Sequence, residues 1–157
     1  MDANPEHLRQ AITLAWAARE HGNHPFGAVL VNAEGTVVAS AENTVVTSAD
    51  ATAHAELNLL REATAKFTPE QLANSQLYAS AEPCPMCASA IVWSNIRQLV
   101  FGLGMDSLYK AFGDTGDAPT LKMPSRTILG LAPWPVMVTG PLLEEQALEP
   151  HQGFWHT

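Results

Sequence analysis

Cys84 and Cys87 stand three residues apart behind Pro83, and His54 lies thirty positions upstream of the first cysteine, with Glu56 two residues beyond it. Two thiols at i and i+3 where a helix opens lie on one face and can share a ligand sphere. On their own they read three ways: a dithiol redox centre, half of a structural zinc site, or two core cysteines. The imidazole of His54 changes the balance, because two thiolates and one imidazole make three protein ligands for a tetrahedral ion. Three ligands leave one position open, the arrangement of a catalytic zinc, whose water is acidified to a pKa of about 7. Glu56 is offset from the ligand itself and is placed to move protons at such a water. A structural zinc or a redox dithiol has no use for that carboxylate.

His54-Ala55-Glu56 followed by Pro83-Cys84-Pro85-Met86-Cys87 has the H-x-E, then P-C-x-x-C form of the zinc nucleobase deaminases. With it the sequence resembles the cytidine and deoxycytidylate deaminase superfamily. The resemblance implies one zinc on His54, Cys84 and Cys87. It also implies hydrolytic deamination, in which zinc-bound hydroxide attacks the carbon bearing the exocyclic amine and Glu56 carries the proton. Within the superfamily, His24-Pro25-Phe26-Gly27-Ala28-Val29, Thr52 to Glu56, Glu82 to Cys87 and Ala90-Ile91-Val92-Trp93 are similar to the small bacterial guanine deaminases. That likeness implies a base held by Asn43, with Phe26 near it and Asp114 in Ala111-Phe112-Gly113-Asp114 as a second catalytic carboxylate; Ala55 and Trp93 are further candidate substrate contacts. Those enzymes exchange a longer C-terminal segment between two subunits, whereas residues 141–157 here stop sooner, at Phe154-Trp155-His156-Thr157. A homodimer is expected, with the tail covering its own pocket or its neighbour's. Guanine, giving xanthine and ammonia, is the first expected substrate. Cytosine, cytidine, guanosine, an aminotriazine or tRNA adenosine are the alternatives within the class. A non-catalytic zinc-binding or thiol redox protein is the alternative outside it.

The elements that must position these residues follow from spacing and caps. Asn4 and Pro5 open a helix to about His21, with Leu8, Ile12, Ala15 and Trp16 at helical spacing. Residues 28–31 and 36–40 read as a hairpin across Asn32-Ala33-Glu34-Gly35, and residues 43–52 as a polar loop. A second helix is predicted over 53–66, a strand over 76–80, a third helix over 84–94 and a parallel strand over 98–102. Beyond an irregular Gly/Asp-rich stretch at 112–117 come an edge strand at 136–139 and a short helix at 142–148. These elements make an α/β fold, a three-layer α/β/α domain of the cytidine deaminase kind over residues 1–157, with a mixed central sheet of about five strands. Both chemical motifs open helices, and in open sheets ligand sites lie where crossovers leave the strand ends.

The chain's 157 residues carry 8 Lys and Arg against 16 Asp and Glu, a net charge of -8. Nucleic acid is disfavoured as a partner, because a phosphate-backbone binder gathers an excess of basic residues. Two cysteines are too few for a disulfide scaffold and fit a reducing cytoplasm. No apolar run reaches the roughly 20 residues of a membrane helix, and the first residues lack the pattern of a secretory leader. Several residues have plainer alternatives. Trp93 reads as a core or interface anchor as readily as a pocket residue, and Phe26 as packing as readily as stacking. His24, His151 and His156 read as surface residues, His7 and His21 as solvated helix positions, Asp106 and Asp117 as loop or capping residues, and Glu144-Glu145 as a solvated helix face.

Overall fold

A computed structural model describes residues 1–112 and 119–155 of the chain. Asp114, Asp117 and His156, all singled out above, lie outside the described residues. The first helix, α1, runs Pro5–Glu20, and its start is the one the sequence predicts: the Asn4 side chain accepts a hydrogen bond from Glu6 N–H, with Pro5 in the first turn. The hairpin follows as β1, Gly27–Val31, and β2, Val37–Glu42. The polar loop after it contains a single turn of helix, α2, Val45–Ser48. Next come α3, Ala55–Lys66, α4, Pro69–Ala73, β3, Gln76–Ala81, α5, Pro85–Trp93, and β4, Gln98–Leu103. The remainder is α6, Met105–Phe112, α7, Ser125–Leu129, β5, Met137–Thr139, and α8, Glu144–Leu148, which runs into a short 3-10 turn, Glu149–His151.

The sheet order is β2-β1-β3-β4-β5. β1 is antiparallel to both β2 and β3, whereas β3, β4 and β5 are mutually parallel, so the sheet is mixed and five-stranded as expected. Every residue of β1 and β3 is buried, because helices cover both faces. Strand alternation sorts the core into two layers. Ala28, Leu30, Leu77, Ala79, Leu99 and Phe101 pack with Leu59 and Leu60 of α3 and Ala88 and Ile91 of α5. Val29, Val31, Tyr78 and Val100 pack on the other face with Leu8 and Ile12 of α1, Phe112 of α6 and Ala147 of α8. Gly27 at the start of β1 lets α1 sit this close, since a Cβ there would lie 2.3 Å from the Ala11 carbonyl oxygen and 2.5 Å from Leu14 Cβ. No helix among the described residues is long and apolar enough to cross a membrane.

Four helices were not expected. α4 carries a capping box in which Thr68 Oγ1 accepts from Gln71 N–H and Gln71 Oε1 accepts from Thr68 N–H, a pattern legible as Thr-x-x-Gln. α6 places Met105, Leu108 and Phe112 on its buried side at i, i+3 and i+7, so Asp106 belongs to a helix and not to a loop. α2 and α7, of four and five residues, have no such local signature.

Candidate active site

His54 and Cys84 are the N-cap residues of α3 and α5, both in extended backbone conformation and neither using its side chain as a cap. Each side chain is therefore free to turn away from its own helix start and towards the other. His54 Nδ1 lies 3.7 Å from Cys84 Sγ and 3.5 Å from Cys87 Sγ, and the three donor atoms are all within 4.8 Å of one another. Tetrahedral zinc with bonds of about 2.3 Å to sulfur and 2.0 Å to nitrogen requires S···N edges of about 3.5 Å. The chain fits that ion: one nitrogen, two sulfurs, and no fourth His, Cys, Asp or Glu ligand among the described residues. Electrostatics agrees. The pKa of Cys84 is lowered to about 4, first by a hydrogen bond from Cys87 and also by His54. Cys87 is pushed up, first by its bond to Cys84 and then by burial, and His54 is raised chiefly by Cys84. Deprotonated thiols are the form that binds a metal cation, and the lowered pKa of Cys84 favours that form.

Glu56, in the first turn of α3, is 6% exposed and faces the cavity floor beside the triad. Burial is the main reason its pKa is raised to about 6, with the Cys84 charge adding to it and His54 opposing. A carboxyl group so placed can both take and give a proton near neutral pH.

Above this floor lies a cavity of about 470 Å³. Phe26 and Asn43 form one wall. Asn43 is 1% exposed, and its Oδ1 accepts from Val45 N–H at 3.1 Å, which fixes the plane of the amide. The loop bearing it is held by two residues that sequence reasoning passed over. Buried Asn23 accepts from Val46 and Thr47 N–H through Oδ1, and Asn58 Nδ2 donates to the Glu42 carbonyl and Thr44 Oγ1. Met105, Leu108, Tyr109 and Phe112 of α6 line its roof with Leu121, and Trp155 lines the cavity too. Trp155 packs on Phe112 with ring centroids 3.7 Å apart and donates its indole N–H to His151 Nδ1 at 3.1 Å. Arg19 Nη1 pins the tail to α1, donating to the carbonyls of Pro150 at 2.8 Å and Gln152 at 2.7 Å.

Other expected contacts are placed elsewhere. Trp93 is 89% exposed at the end of α5 and does not line the cavity, because the face of α5 that carries Cys87, Ala88 and Ile91 is the one turned inward. Ala55 is wholly buried in the first turn of α3 and adds no surface to the cavity. His24, expected at the surface, is half-buried in the cavity wall beside Trp155. His151, also expected there, is 2% exposed among Phe26, Phe112 and Trp155. His7 is half-buried against the Tyr78 ring, whereas His21 is exposed and meets Glu42 at 2.7 Å. Glu144 is half-buried and accepts from Gly104 N–H, so only Glu145 of that pair is a solvated face.

A family profile, the cytidine and deoxycytidylate deaminase zinc-binding region, matches residues 1–103. A probable cytosine deaminase of Schizosaccharomyces pombe is 43% identical over 149 residues, 95% of this chain and 90% of that protein. A tRNA-specific adenosine deaminase of Buchnera aphidicola is 40% identical over 66% of this chain and 68% of its own. Among solved structures, a guanine deaminase from Nitrosomonas europaea superposes with a TM-score of 0.77 at 26% identity, over 98% of this chain and 85% of that one.

Proposed function

The chain belongs to the cytidine and deoxycytidylate deaminase family and is a zinc-type deaminase, and from that premise we propose that it acts on a free nucleobase, guanine, which it converts with water to xanthine and ammonia. The observation that carries the free-base reading is Trp155. It lines the same cavity as the metal triad and packs on Phe112, and we infer that it takes up space a ribose would need. The likeness to the Nitrosomonas guanine deaminase over nearly the whole chain supports guanine. Cytosine is the second reading, favoured by the fission-yeast relative, whose similarity runs over 95% of the chain. A net charge of -8 counts against tRNA. The same reading includes a homodimer in the cytoplasm.

Bound zinc on His54, Cys84 and Cys87 supplies the Lewis acidity that makes water a nucleophile near neutral pH. The rest falls to the chain. Asn43 orients the base by its amide, and Phe26 offers it an aromatic face. Glu56 takes one proton from the attacking water and passes it to the ring nitrogen. It then takes the second water proton from the new C–OH group and delivers it to the exocyclic amine, so that the C–N bond breaks, ammonia departs and a carbonyl remains. Asp114 is proposed to meet the N–H edge of the purine. With a base bound, the apolar side chains of the roof would keep water from these proton transfers.

The test is ammonia release from guanine, cytosine, guanosine, cytidine, adenine and an aminotriazine by the zinc-loaded protein. Guanine is expected to lead, with each nucleoside at least about a hundredfold below its base in kcat/KM. A cytosine lead selects the second reading. Nucleosides turned over as well as bases would end the free-base proposal.

A further inference from the structure

Glu82 sits between β3 and Pro83-Cys84, so its backbone belongs to the loop that delivers the first sulfur ligand. Its carboxylate serves different parts of the chain. Oε2 accepts from Met105 N–H at 2.9 Å, and Oε1 accepts from both Ser125 N–H at 2.9 Å and Ser125 Oγ–H at 2.8 Å. Met105 is the first residue of α6, which carries Leu108, Tyr109 and Phe112 into the roof of the cavity. Ser125 is the first residue of α7, four positions beyond Leu121, which also lines the roof. The two roof segments touch each other through Tyr109, whose hydroxyl donates to the Leu121 carbonyl at 3.3 Å. One carboxylate on the metal-ligand loop therefore ties down the starts of both α6 and α7.

The chemistry of the tie accounts for the residue type. Two oxygens without a proton accept three bonds from two directions, and bonds to a charged acceptor are about twice as strong as neutral ones. A glutamine of the same shape would turn an N–H₂ group towards a backbone N–H. Glu82 also borders the cavity, but the three bonds its carboxylate makes are to Met105 and Ser125 and none is to the triad.

We propose that Glu82 is a positioning residue that sets the height of the roof over the metal triad and thereby the affinity for the base. This rests on the reading of the cavity as the nucleobase site. Releasing α6 and α7 loosens groups that bind substrate and leaves His54, Cys84, Cys87 and Glu56 where they are. The cost should fall on KM and not on kcat.

The experiment compares Glu82→Gln and Ser125→Ala with the wild-type zinc enzyme. Glu82→Gln is expected to raise KM for the base about tenfold, change kcat less than about threefold, and retain the zinc content of the wild type. Ser125→Ala removes one of three bonds and should raise KM about threefold. The double variant should be no worse than Glu82→Gln, because the serine hydroxyl acts through the same carboxylate. Amide hydrogen exchange gives a readout that needs no substrate: Met105 and Ser125 should lose protection in Glu82→Gln, while β3 and β4 keep theirs. An unchanged KM, a kcat loss that tracks zinc loss, or unchanged protection at both amides would overturn the assignment. If the wild type deaminates no free base, the nucleobase reading fails, and the exchange data alone decide whether the tie exists. If Glu82→Gln does not fold, Ser125→Ala decides, and wild-type KM in that variant overturns the proposal.

Discussion

At the scale of single residues, the site is a contest between burial and charge. Glu56 is buried deeply enough to favour its neutral form, yet it stands beside a histidine and two sulfurs that a cation would hold. Replacing it with glutamine keeps shape and burial and removes only the exchangeable proton. Glu56→Gln is expected to keep its zinc and its fold and to lose about a hundredfold or more in kcat, the size typical of a lost general acid/base. Zinc analysis together with turnover checks this, and wild-type turnover would remove Glu56 from the chemistry. The ligand set and this carboxylate were legible in the sequence, because a motif within a few residues of a helix start carries its own geometry. Asn23, Asn58 and Glu82 were not, since each acts on backbone that is distant in sequence.

At the scale of elements, the two metal-binding helices each begin on a ligand, and the covering elements come from elsewhere in the chain. α6 and α4 could have been read from the spacing of Met105, Leu108 and Phe112 and from the Thr68/Gln71 box. α7 could not, because the bonds that hold its start come from Glu82, 43 residues earlier. The C-terminal tail is a further case. Its aromatic character was plain, but its seat depends on Arg19 of α1, whose guanidinium also lies 5.6 Å from the rings of Trp16 and Phe154. Trp155→Ala should raise KM for the base about tenfold by opening the cavity, and Arg19→Gln should raise it about threefold by loosening the strap. If the two act as a unit, the double variant will match Trp155→Ala. Additive losses in steady-state kinetics would show that Arg19 acts independently of the tail.

At the scale of the whole molecule, the parallel strands β3 and β4 bring the start of α5 to one end of the strands, and the β2-to-α3 loop brings His54 to the same end. The tail, packed in the opposite layer, closes against α1 through Arg19 and carries Trp155 to the cavity. His151 lies in that closure, and burial, with Arg19 nearby, lowers its pKa to about 3. Between that value and the ordinary value of about 6.5, the unfolded chain binds a proton that the folded chain does not. Stability should therefore fall as pH drops from about 6.5 towards 3, by up to about 1.4 kcal/mol per pH unit from this residue. Urea unfolding of wild type and His151→Phe at pH 7 and pH 5 tests this. The stability difference between them should shift against the wild type at the lower pH, and a constant difference would mean that His151 titrates normally. By itself the sequence determined the metal set, the carboxylate beside it and the order of the five strands with α1, α3, α5 and α8, because caps, spacing and alternation act over a few residues. Only the tertiary structure decided which aromatic and histidine side chains meet the cavity. It turned Trp93 outward, His24 and Trp155 inward, and buried His151, because spacing assigns a residue to a face but packing of distant elements decides what that face meets.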